Sequence, residues 1–275
     1  MLSTIKFVAV PVDIKQNKIN LTALISATTA ISKGLKKGHT VVICPSLPPG
    51  TTEKLVKEIL EKHSKLKVEK DFNLIYNPER IFEGRALQDI EENYPAIVSG
   101  YGPKSLKFAD ELLKIISKKG TLKMTSLANA EAEKLFEGVY RDVNIALANE
   151  LSEYCEQIGV NYWDARKGAN SQPYCHLHYP GTGVGGLCIP VYPKFVIESS
   201  KKIGKHVKLI EYSRKINDQK PKKCVQDALS LFKNNVKGIK VAVLGLGFRG
   251  EVTDSRLSPT YTVVNELLKK QCNVI

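Results

Sequence analysis

The chain has 275 residues, 43% of them hydrophobic, and a formal net charge of +13. That length supports one large domain or two to three smaller ones with a sizeable core. No apolar run reaches the roughly 18 residues that a membrane span needs. The opening MLSTIKFVAVPVD lacks a charged n-region and a clear cleavage site, and reads as a strand, not a signal peptide. The six cysteines are Cys44, Cys155, Cys175, Cys188, Cys224 and Cys272. They are scattered without a CxxC pair, which argues against a disulfide framework or a metal site and for a reduced, cytoplasmic protein. The basic residues form no block, and no nucleic-acid-binding motif accompanies them. They therefore read as a solvated surface that favours anionic ligands, with nucleic-acid binding as the rival reading.

Strand and helix signals alternate from the start. Residues 5–12 (IKFVAVPV) read as a buried strand, 21–36 as a helix ended by Gly38, and 41–44 (VVIC) as a second strand. The loop PSLPPGTT leads to a helix over 52–63. Strands at 73–76 (NLIY) and 96–99 (AIVS) follow, then a helix over 104–118. This alternation implies βαβ units and a mostly parallel sheet, whose ligands sit at the carboxyl ends of the strands. The loops 11–13, 45–52 and 77–84 occupy that position.

A long helix is expected over 130–159, with Leu135, Val139, Val143, Leu147, Leu151, Tyr154 and Ile158 forming an apolar stripe. It reads equally as a core helix or as a pairing surface. Residues 195–231 are mainly helical, with a break expected at Pro221. Residues 237–250 (KGIKVAVLGLGFRG) read as a strand running into a GxGxxG turn. Ser258 and Pro259 read as N-cap and first residue of a helix over 260–270, and CNVI opens another strand.

Two glycine-rich stretches carry the functional question. Gly245, Gly247 and Gly250 fit the dinucleotide fingerprint, but EVTDSRLS separates them from the next helix and no ribose-binding acid follows. The other is PGTGVGGLCIP, where glycines flank Cys188. Its thiol reads as a nucleophile, a metal ligand or a small core residue.

Five segments taken together resemble the UDP-glucose/GDP-mannose dehydrogenase superfamily. They are PSLPPGTTE, NPERIFEGRALQDI, AEAEKLFEGVYRDVNIALANELS, PGTGVGGLCIP and GLGFRGEVTDSRLSP, in the family's order. The forms GVGGLCIP and YRDVNIALANE favour the branch acting on UDP-N-acetylmannosamine or UDP-N-acetylglucosamine. The resemblance implies an α/β chain in three parts. Residues 1–127 would be the C-terminal part of a Rossmann-like NAD-binding domain. Residues 128–230 would be an all-helical central domain, carrying the cysteine loop and dimerising through its long helix. Residues 231–275 would begin a second, UDP-binding Rossmann-like domain. The implied reaction oxidises a primary alcohol to a carboxylate with two NAD⁺, through a thiohemiacetal and a thioester on cysteine, in polysaccharide biosynthesis.

Residue by residue, the resemblance makes Cys188 the nucleophile, Lys134 the cation near the oxyanion and Glu79 the acid that holds water. Pro11, Ser46 and Glu83 would contact NAD. Arg80, Gly181, Gly183, Gly185, Gly186, Arg249 and Arg256 would bind the UDP-sugar. The GxGxxG turn would then face the substrate nucleotide and not NAD. Plainer readings stand beside these: Cys188 packed, Lys134 on a helix surface, Glu79 capping the following helix, Asp254 paired with Arg256.

The chain also departs from the family pattern. The glycine-rich turn that holds the NAD pyrophosphate is missing at the start, and most of the UDP domain is missing at the end. Gly138 stands where the family has Asn, Tyr192 where it has Asp, and Leu187 where it has His. Arg249 replaces a Lys, and the arginine expected near Tyr174 is missing. These changes suggest a truncated or decayed dehydrogenase, and a non-catalytic protein pairing through the central helix is the alternative.

Overall fold

A computed structural model describes residues 3–16, 18–232 and 236–275. The chain divides into two compact units: Met1–Glu137 with Lys194–Ile203, and Gly138–Pro193 with Gly204–Ile275.

The first unit is built on a five-stranded sheet. Its strands are β1 (Ile5–Val8), β4 (Thr40–Ile43), β5 (Asn73–Tyr76), β6 (Ala96–Gly100) and β7 (Thr121–Lys123), in that spatial order. All neighbours pair in parallel except β5 and β6, which are antiparallel. Every residue of β4 (TVVI) and β5 (NLIY) is buried, as expected for central strands covered on both faces. Alternation divides their side chains: Val41, Ile43, Leu74 and Tyr76 join one core, and Val42 and Ile75 join the other. Leu24 of α1 (Thr22–Lys33), Leu60 of α2 (Lys57–Ser64) and the start of α5 (Leu127–Gln157) pack in the first core. Ala109 and Leu113 of α4 (Pro103–Ile116) pack in the second.

The predicted strand over 5–12 is shorter. It ends at Val8, and an antiparallel hairpin of β2 (Asp13–Lys15) and β3 (Lys18–Asn20) follows. The hairpin is tied down by α7 (Tyr192–Lys202), where Glu198 accepts the Ile19 N–H at 2.6 Å. Strand β1 lies at the sheet edge, and Phe7 there is 50% exposed. Between β5 and β6 lies a short α3 (Ala86–Gln88).

The second unit contains the later turns of α5, α6 (Tyr162–Ala169), α8 (Lys208–Ser230) and α9 (Pro259–Lys269). It also holds a two-stranded parallel sheet of β8 (Lys240–Val241) and β9 (Asn273–Val274). The strand expected to run from residue 237 into the turn at Gly245 is confined to β8. Val225, Leu229, Leu267 and Cys272 form the core beneath that sheet. Ser258 caps α9 as expected, its Oγ accepting the Thr260 N–H at 3.3 Å, with Pro259 in the first turn.

Pro221 does not break the helix; it lies buried inside α8. A proline there removes one backbone hydrogen bond and crowds the preceding turn, at a cost of about 3 kcal/mol. Two features offset it. The ring packs against Gly183, with Cγ 2.8 Å from where a Cβ would stand. One turn earlier, Asn217 is anchored through its side chain to Asp142.

Candidate functional site

Six of the residues singled out from sequence belong to the first unit. The loops carrying Pro11, Ser46 and Glu79 follow β1, β4 and β5, three adjacent strands, at their carboxyl ends. Backbone bonds hold the loops together: Cys44 N–H donates to Val8 O at 3.0 Å, and Asn77 N–H to Ile43 O at 2.9 Å. Tyr76 Oη donates to Pro45 O at 3.1 Å. Pro11 is exposed and Ser46 half-buried. Glu79 is exposed, and its Oε1 accepts the Ile81 N–H two residues on, within the loop; it caps no helix, since α3 begins only at Ala86. Glu83 is exposed in the turn closed by Arg85 N–H on Phe82 O.

Arg80 is engaged by the chain itself. Its Nε donates to Glu137 Oε1 at 2.8 Å, its NH2 lies 2.6 Å from the same carboxylate, and the guanidinium stacks over Tyr94. Lys134 is buried on the same stretch of α5. Glu133 beside it has its carboxyl pushed up to about 7, by burial first and then by the charge of Glu137, against the opposing pull of Arg80.

Two carboxylates that sequence reading left without a role govern this unit's loops. Glu131 is fully buried, accepting Thr52 N–H at 2.8 Å and also Gly50 N–H. It thereby closes the helix start after PSLPPGTT. Burial pushes its carboxyl up to about 7, although these N–H donors favour the charged form. Glu69 closes the start of α4 in the same way, accepting Ser105 N–H at 3.1 Å and the Lys104 N–H. The helix starts after Gly50 and Gly102 are thus occupied by internal carboxylates.

The other seven residues belong to the second unit. Cys188 is exposed and free, and its carbonyl accepts Val191 N–H at 3.1 Å and Tyr192 N–H at 2.9 Å. It therefore forms the turn that leads into α7. The glycines before it are required by packing. A Cβ at Gly185 would stand 2.6 Å from Cβ of Phe248 and 2.9 Å from the Leu257 carbonyl oxygen. Gly186 N–H donates to Arg256 O at 3.0 Å, and Gly181 N–H to Asn149 Oδ1 at 2.9 Å. The glycine loop is thus pressed onto the segment GFRGEVTDSRLSP, which carries Arg249 and Arg256. Arg256 forms a two-pronged pair with Asp254, at 2.9 Å from Nε and 2.6 Å from NH2. That pair holds the Asp254 carboxyl below its ordinary range.

Gly138 and Tyr192, two departures from the family pattern, are in contact. A Cβ on Gly138 would lie 2.5 Å from Cδ2 of the buried Tyr192 ring. The bulky residue at 192 thus fits because 138 carries no side chain.

Residues 2–117 match the NAD binding domain of the UDP-glucose/GDP-mannose dehydrogenase family, and residues 128–219 match its central domain. The chain belongs to this family. It is 36% identical over 258 residues to a UDP-N-acetyl-D-mannosamine dehydrogenase of Methanococcus maripaludis, covering 94% of this chain and 57% of that relative. A relative from Ralstonia solanacearum, an NDP-N-acetyl-D-galactosaminuronic acid dehydrogenase, is 34% identical, with 98% and 64% covered. The solved UDP-D-ManNAc dehydrogenase of Pyrococcus horikoshii superposes with a TM-score of 0.92 at 30% identity, covering all of this chain and 66% of that one. The chain therefore spans between half and two thirds of the length of these family members. Among the described residues, no helix is long and apolar enough to cross a membrane.

Proposed function

We propose that the chain serves an NAD-dependent nucleotide-sugar 6-dehydrogenase that oxidises the C6 alcohol of a UDP-N-acetylhexosamine, UDP-N-acetylmannosamine foremost, to the uronate. The observation that carries this reading is the exposed Cys188 thiol at the turn into α7, behind a glycine loop pressed onto the segment with Arg249 and Arg256. NAD⁺ supplies the acceptor for two hydrides, one in each oxidation. Cys188 adds its sulfur to the C6 aldehyde; a C–S bond forms and the carbonyl oxygen takes a proton, giving a thiohemiacetal. Loss of a hydride and a proton converts this to a thioester. Water then adds at the carbonyl, the C–S bond breaks, and the thiol and the carboxylate are released. Lys134 is assigned to the oxyanion that develops in these steps, and Glu79 to the attacking water.

The names of the relatives support the substrate class. The test is NADH formation at 340 nm with UDP-N-acetylmannosamine. The expected result is two NADH per uronate, falling by about 10³-fold or more in Cys188→Ser. Equal rates in both proteins would overturn the assignment of Cys188.

A second reading, pairing with another copy through α5, is favoured by the outer face of that helix. Tyr140, Leu147, Tyr154 and Ile158 are 53%, 41%, 58% and 52% exposed, at spacings of seven, seven and four. Such a stripe is the pattern of a helix seam. Light scattering should give a dimer, reduced to a monomer by Leu147→Glu; a monomeric wild-type chain would contradict it.

A further inference from the structure

The second unit buries four polar side chains in one connected line: Asp142 and Asn149 of α5, and Arg214 and Asn217 of α8. Arg214 NH1 donates to Asp142 Oδ1. Asn217 Nδ2 donates to the same oxygen at 2.8 Å and to Asp142 O at 2.8 Å. Asn149 Nδ2 donates to Asn217 Oδ1 at 3.4 Å, and Asn149 Oδ1 accepts the Gly181 N–H at 2.9 Å. The line ends on the first glycine of the loop before Cys188.

The two ends determine the direction of everything between them. An ionised carboxylate only accepts, so Asn217 must turn its NH₂ toward Asp142 and its oxygen toward Asn149. Asn149 must then turn its NH₂ toward Asn217 and its oxygen outward. A backbone N–H only donates, and Gly181 supplies that donor. Flipping either amide would place two donors or two acceptors face to face in a buried site, which is costly. Arg214 supports the charged form of Asp142, and Asp218, 3.1 Å from Arg214 Nε, holds the guanidinium in place.

We infer that Asn149 is a positioning residue for the glycine loop, and that Asp142, through Asn217, sets the orientation in which Asn149 accepts from Gly181. That the loop holds the sugar of a UDP-sugar rests on the function proposed above; the orientation of the loop by this line of side chains does not. Phe248 and Pro259 also press against the loop glycines. Asn149 supplies the directional bond at the start of the loop, at Gly181, and the Gly186 N–H on Arg256 O the one near its end.

Residue-resolved amide exchange on the ligand-free chain tests this. In the wild type the Gly181 amide should be protected although Gly181 itself is exposed. An unprotected Gly181 overturns the inference without any variant. Asn149→Ala and the isosteric Asp142→Asn should each speed exchange at Gly181 by about 10-fold or more, while Ala146 of α5 and Val225 of α8 keep wild-type rates. Unchanged Gly181 exchange in Asp142→Asn would overturn the role of Asp142.

Binding supplies a readout that a purely structural role would not split. Asp142→Asn should weaken UDP-N-acetylmannosamine about 10-fold and leave UDP unchanged, because only the sugar meets the loop. If the wild type binds neither ligand, the proposed function fails, whereas the exchange result still decides whether the line positions the loop.

Discussion

The helix starts of the first unit and the packed glycines of the second are accommodated by opposite means. In the first unit, Glu131 and Glu69 bring buried or half-buried carboxylates to backbone N–H groups at two helix starts. In the second, the absence of side chains at Gly185 and Gly138 admits Phe248 and Tyr192. The charged solution is sensitive to protonation, and the steric one to added volume. One stretch can therefore be perturbed by pH and the other by a single methyl group.

The largest expected effect on that comparison comes from volume. Gly185→Ala would drive a methyl into Phe248 and the Leu257 carbonyl, and should destabilise the second unit by about 1–3 kcal/mol. Gly138→Ala should cost a similar or smaller amount, because the Tyr192 ring can shift. Chemical denaturation of each variant measures both, and stability equal to wild type in Gly185→Ala would mean that the loop is not pressed onto Phe248.

Protonation comes next. The Glu131 carboxyl has an ordinary value of 4.5 and is held at about 7 in the folded chain. Between those values the folded chain holds a proton that the unfolded chain releases. Stability from this group is therefore fully present below about pH 4.5 and is lost as pH rises through 7. Glu133 acts in the same direction. Glu131→Gln should flatten the fall in stability between pH 5 and 7.5 relative to wild type, as read by urea midpoints across that range. An unaltered slope would show that Glu131 is ionised throughout.

Smaller effects sharpen the edges of the picture. Ser258→Ala should cost about 1 kcal/mol through loss of the α9 cap. Pro221→Ala should lie within about 1 kcal/mol of wild type, because the regained backbone bond offsets the lost contact with Gly183. Thermal unfolding reads both, and a large stabilisation by Pro221→Ala would mean that the ring contributes nothing to the loop.

What could be read from sequence follows the range of the interactions. Strand β5 lies where NLIY placed it, and Ser258–Pro259 opens α9, because both signals are local. Pro221 was misleading because its compensation comes from Gly183, 38 positions earlier in the chain. Cys188 was legible from its glycine setting, but the reason for those glycines was not, since Phe248 lies 60 residues later. Glu131 gave only a faint signal, three residues before Lys134 in AEAEK. The line from Asp142 to Gly181 left none, because buried amides reveal their direction only once both ends are placed.

The most direct test of the role of Cys188 is to trap its thioester. The chain is incubated with UDP-N-acetylmannosamine, NAD⁺ and hydroxylamine, and the products are separated by mass. A uronyl hydroxamate formed by the wild type and missing from Cys188→Ser is the predicted result. Uronate accumulating without any hydroxamate, or hydroxamate formed equally by Cys188→Ser, would contradict covalent catalysis at this cysteine.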